Sequence, residues 1–162
     1  MRKMDSLGIR LCSYQAVLFE RSIEETDCSS GIFIRRFMNS ELAKRMDGIG
    51  TIFDSLDVSD AIREVETQYG TSTYGVEKYS LEEMHWIGYM YRYWVYVTEK
   101  SSKQIYKLMK PADLRKRYFP YHSLDPQQVI DRIMEETGIE EQSGVDDIAK
   151  GVIVLRKVRN KR

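Results

Sequence analysis

A chain of 162 residues in which 25 Lys plus Arg balance 25 Asp plus Glu carries no net charge, so no global field draws it to nucleic acid or to an anionic membrane. Its length suits one domain burying roughly 68–70% of its unfolded surface without disulfides, and its only cysteines, Cys12 and Cys28, read as reduced, buried apolar residues of a cytoplasmic protein. No signal peptide is recognisable, and no uninterrupted apolar run approaches membrane-spanning length, the richest being cut by His85 and Arg92.

Taken in chain order, Cys12, Ala16, Phe19 and Ile23 recur at the spacing of one helix face and predict a first helix over Gly8 to Glu25. Asp27-Cys28-Ser29-Ser30 is rich in N-capping side chains, and the apolar Phe33, Ile34, Phe37, Met38 and Leu42 predict a single second helix from Gly31 to Asp47, stopped by Gly48 and Gly50. Ala61, Ile62, Val65 and Tyr69 mark a shorter amphipathic segment over Asp57 to Tyr69, with Gly70 as its stop and a Gly/Ser/Thr-rich loop running on to Tyr79. Ser80-Leu81-Glu82-Glu83 is a capping box, in which Ser80 accepts from the backbone three residues on and Glu83 reaches back. A central helix therefore runs from Ser80 to about Thr98. Glu99-Lys100-Ser101 breaks the pattern, Ser101 or Ser102 caps a further helix through Met109, and Pro111 opens a turn or short helix to Tyr118. Asp125 followed by Pro126 starts a last helix to about Thr137.

The chain accordingly divides into a helical domain, 1–137, and a polar hinge with a basic C-terminal segment, 138–162, in which every charge from Lys150 to Arg162 is positive. Within that segment the β-branched run Gly151 to Arg156 could pair as an edge strand or extend from a partner. The expected fold class is mainly α: a compact multi-helix bundle around a central aromatic-rich helix, with a short β segment near the C-terminus.

The central helix is apolar round most of its circumference, which calls for burial. Trp86, Met90, Tyr93 and Val97 share one face, widened by Met84, Ile87 and Trp94. One polar stripe remains: Glu82, His85, Tyr89, Arg92 and Tyr96 stack along consecutive turns. Such a stripe either forms an internal network, with Arg92 paired to a carboxylate and the Tyr hydroxyls satisfied, or meets a partner.

Three catalytic or ligand-binding readings draw little support from the residues. Glu82 and His85 form a Glu-x-x-His pair, but the only other histidine, His122, has no matching Glu, so no metal site is expected. Cys28, His85 and Glu82 could be assembled as a nucleophile, base and acid, as such triples can in any chain of this size. Gly-rich phosphate loops are absent, and no small-molecule cofactor is expected. A helix-turn-helix around Tyr93 to Met109 is a further option, with Lys103, Lys107, Lys110, Arg115 and Arg117 as phosphate contacts and Gln104 placed to read a base edge.

Four words in the chain resemble those of a family of small bacterial proteins, mainly from Firmicutes and their relatives. They are Phe33-Ile34-Arg35-Arg36-Phe37-Met38, then Trp86-Ile87-Gly88-Tyr89 with Tyr91-Arg92-Tyr93-Trp94, then Ser102 with Ile105-Tyr106-Lys107, and finally Tyr121-His122 with Leu124-Asp125-Pro126. Ser123 stands where the family pattern leads one to expect Thr, and the hydroxyl is kept. The resemblance spans about Cys12 to Thr137. Genes of that family sit beside cassettes encoding an ADP-ribosyltransferase-like toxin, and its members are labelled antitoxins. The resemblance implies a non-catalytic antitoxin or accessory component that binds a neighbouring toxin protein, with His85, Tyr89, Arg92, Tyr96, Arg35, Arg36, Tyr121 and His122 as the candidate contacts. A DNA-binding regulator using the Lys103 to Arg117 segment is the alternative.

Overall fold

The computed structural model describes residues 1–48 and 55–139, and the expected strand over Gly151 to Arg156 and most of the hinge lie outside them. Nine helices occur among the described residues: α1 (Ser6–Glu25), α2 (Ser30–Met38), α3 (Glu41–Asp47), α4 (Val58–Tyr69), α5 (Leu81–Thr98), α6 (Ser102–Leu108), α7 (Pro111–Lys116), α8 (Tyr118–Tyr121) and α9 (Pro126–Thr137). The described chain is a helical bundle, and none of these helices is long and apolar enough to cross a membrane.

Local chemistry sets most boundaries. Ser80 and Glu83 close the expected capping box at α5, and Ser101 and Gln104 close a second one at α6. Between them Glu99 takes a left-handed conformation, φ 57°, and turns the chain. Gly70, at φ 82°, ends α4, and Asp125 caps α9 with Pro126 in its first turn. One expectation is corrected: the single helix over Gly31 to Asp47 is two helices. The Ser40 hydroxyl accepts from the Ala43 N–H and opens α3. Asn39 meanwhile turns its amide back to the Arg35 carbonyl at 2.8 Å and closes α2. Both residues are ones whose side chains compete with the helical backbone for hydrogen bonds.

The architecture centres on α1 and α5, which pack antiparallel along most of their lengths. Asp5 meets Tyr96 near one end, Gln15 meets Gly88 and Arg92 in the middle, and Glu20 meets His85 near the other. Gly88 allows the approach, because a Cβ there would come within 2.7 Å of the Gln15 carbonyl oxygen and 3.0 Å of the Ala16 Cα. Phe19 of α1 then stacks edge-on against Phe33 and Phe37 of α2, at 5.7 and 5.2 Å between ring centroids. On the opposite side of α5 the Tyr91 hydroxyl donates to the Met109 carbonyl at 2.6 Å and Tyr93 bonds Gln127, so α6 to α9 cover the remaining faces. Tyr91, Trp94 and Met84 are buried as the apolar circumference of α5 requires.

Candidate functional site

The polar stripe of α5 divides into two environments. Its C-terminal part is interior. Arg92 is 1% exposed, and its guanidinium donates from Nε to Gln15 Oε1 at 2.7 Å, from Nη1 to Asp47 Oδ1 at 2.7 Å and from Nη2 to Ser102 Oγ at 3.1 Å. Asp47 in turn accepts from the Ser102 N–H at 2.8 Å and from the Ser102 hydroxyl at 2.6 Å. This node joins α1, α3, α5 and α6, and among the described residues no buried side-chain nitrogen or oxygen lacks a partner. Tyr96, also buried, donates to Asp5 Oδ1 at 2.7 Å. The Asp5 carboxyl is held below its ordinary range by the Gly8 N–H and by that Tyr96 hydroxyl. Above the node lies a cleft of about 440 Å³ whose walls include Arg2, Glu99, Lys100 and Gln104, and Arg2 pairs with Glu99 at 3.1 Å.

The N-terminal part of the stripe faces outward. His85 is exposed and Tyr89 half-buried, and they line an open groove of about 320 Å³ with Glu82 and Trp86 of α5, Glu20 of α1, and Tyr118 and His122 from the α8 region. Trp86 and Tyr118 meet edge-on at 5.7 Å, and Tyr118 stacks on His122 at 4.7 Å. The His122 Nδ1 lies 2.9 Å from the Tyr118 carbonyl, and His85 Nδ1 lies 3.6 Å from Glu20 Oε1. Beside the groove Phe119 is 85% exposed. Burial pushes the Tyr89 hydroxyl above its ordinary pKa, with smaller contributions from Cys12 and Asp125.

Of the candidate contacts read from the sequence, the groove brings together His85, Tyr89 and His122. Arg92 and Tyr96 belong to the interior as described. Tyr121 is half-buried against the core. Arg35 is exposed on α2, and Arg36 donates to the Gly70 carbonyl at 2.6 Å and lies over the Tyr69 ring. Four groove residues were not among the candidate contacts: Glu20, Glu82, Trp86 and Tyr118. Tyr118 precedes His122 by one helical turn, and that spacing was the available signal.

The basic segment also divides. Lys103, Gln104, Lys107 and Lys110 are exposed, with Gln104 engaged in the α6 capping box and Lys110 over the Tyr106 ring at 4.3 Å. Arg115 is held by Glu83 and Glu77, both at 3.0 Å, and lies over Tyr79 at 4.2 Å. Arg117 bonds Glu136 at 3.2 Å and the Asp113 carbonyl at 2.9 Å. Cys28 donates to Thr26 and His85 lies by Glu20, so among the described residues each member of that nominal triple has a partner outside it or stands alone. Among the described residues no three His, Cys, Asp or Glu side chains converge as metal ligands would. No family model matches this chain, and no curated protein or solved structure matches it.

Proposed function

We propose that the chain acts in the cytoplasm as a non-catalytic antitoxin, or accessory component, of a bacterial toxin–antitoxin system and that it works by binding the neighbouring toxin protein. The observation that carries this reading is the groove. Half-buried Trp86, Tyr89 and Tyr118 lie together at the surface beside an 85% exposed Phe119. Aromatic side chains of this kind desolvate large area at modest entropic cost, which is why they dominate the energetic centres of protein interfaces. The family resemblance is what points to a toxin encoded beside it as the partner. Co-expression with the toxin encoded beside it should restore growth, and the two proteins should co-purify; failure of both rejects the reading.

A DNA-binding role through Lys103, Gln104, Lys107 and Lys110 is the second reading, favoured by the exposure of those four side chains on or next to α6. Against it, Arg115 and Arg117 are already neutralised by carboxylates. A promoter-shift titration comparing the wild type with Lys103→Ala and Lys107→Ala decides it, since each lost phosphate contact lowers the salt slope by about one unit.

A further inference from the structure

This molecule repeatedly sets an arginine over a tyrosine ring beside a carboxylate. Arg2 lies 4.7 Å from the Tyr96 centroid and 3.1 Å from Glu99, and Arg115 lies 4.2 Å from the Tyr79 centroid and 3.0 Å from Glu83. The arrangement combines the attraction of a cation to a ring face with a charge-assisted hydrogen bond. The groove between α1, α5 and α8 presents the same two ingredients without the third. Its walls hold the rings of Trp86, Tyr89 and Tyr118 and the carboxylates of Glu20 and Glu82, and no Lys or Arg among the described residues lines it. Glu82 makes no hydrogen bond or ion pair among the described residues, while Glu20 has His85 at 3.6 Å.

We propose that this groove receives an arginine side chain of the partner protein, stacked on the aromatic wall and paired with Glu82 and Glu20. The inference rests on the protein-binding reading for the source of that arginine and on the groove's charge and ring content for its chemistry. Arginine is preferred to lysine because a planar guanidinium can stack on a ring and bond a carboxylate at its edge at once, whereas an ammonium is a compact, strongly hydrated point charge.

The test uses the full chain and a blocked pentapeptide, acetyl-Gly-Arg-Gly-Arg-Gly-amide, with lysine and citrulline counterparts; citrulline keeps the shape and removes the charge. In an NMR titration, the Trp86 indole and the ring signals of His85 and His122 should shift saturably with the arginine peptide. Affinity should fall about tenfold or more with citrulline, and likewise in the Glu20→Gln/Glu82→Gln double variant. Silence, equal binding of the citrulline peptide, equal binding of the lysine peptide or an unchanged double variant would overturn the proposal. A salt-dependent shift of the Trp86 indole without peptide would give the groove to the chain's own basic run, Lys150 to Arg162, and overturn a partner as its occupant. The toxin separates the two readings. If it co-purifies with the double variant at wild-type yield, the groove proposal fails and protein binding stands. If the peptide binds as described but no toxin is retained, the groove chemistry is supported and the toxin is eliminated as its source.

Discussion

Arg92 and Asp47 illustrate what an interior charge needs. Arg92 is 1% exposed and the Asp47 side chain 14%, and the pair persists because Gln15 and Ser102 fill the remaining hydrogen-bonding positions. Removing one partner strands the other, so Asp47→Ala should lose about 3 kcal/mol in urea denaturation. The Arg92→Met/Asp47→Ala double variant should lose less than the sum of the single losses, by about 1–3 kcal/mol. Cys12 carries a separate prediction. Burial pushes its thiol from 9.0 up to about 12, so the folded state favours the neutral form. That contribution to stability is whole below about pH 9 and declines as the pH climbs towards 12. The urea midpoint of the wild type should therefore fall more steeply between pH 8 and pH 10.5 than that of Cys12→Ala. The place of Arg92 on an otherwise apolar helix left two readings, an internal carboxylate or a partner; that it is buried on Asp47 was not legible, because Asp47 is 45 residues away and nothing local points to it.

At the scale of elements, the caps were the most readable features. Ser80 with Glu83 and Asp125 with Pro126 act within four residues of one another, so three-dimensional context adds little to them. The break at Asn39-Ser40 was hidden by an apolar period that continues across it from Phe37 to Leu42, and a serine inside a helix and one at its N-cap look alike in a string of letters. The groove was half legible for a related reason. His85 and Tyr89 share a face of α5 by spacing alone, whereas Glu20 and Tyr118 join them only through the packing of α1 and α8. The α1–α5 contact supports a sharper expectation. Alanine at position 88 would drive a methyl against the Gln15 backbone oxygen at 2.7 Å, which no rotamer change relieves. The overpacking cost of about 3 kcal/mol exceeds the helix-propensity gain of about 1 kcal/mol. Gly88→Ala should lower the melting temperature by roughly 4–8 °C. Gly31→Ala is the control, since the nearest atom to its added methyl is the Tyr79 hydroxyl at 3.7 Å, and its melting temperature should be unchanged or slightly higher.

For the whole molecule, the Arg92 node links helices on both sides of the central one. Its loss should loosen α3 and α6, which are short and hold few apolar residues each, before it loosens α5. Hydrogen exchange of Asp47→Ala should show amides of 41–47 and 102–108 losing protection while those of 87–97 keep most of theirs; uniform loss would mean that the node only adds to global stability. The pairing of α1 with α5 has one more consequence, which belongs to synthesis. The Gln15 side chain waits for the carbonyl of Gly88, 73 residues later. At about 5–20 residues per second the first helix therefore spends roughly 4–15 s off the ribosome's catalytic centre without its main partner. During that interval α2 already offers Phe33 and Phe37 to Phe19, but the stretch of α1 around Ala16 that Gly88 will cover stays open, a surface that a chaperone can take first.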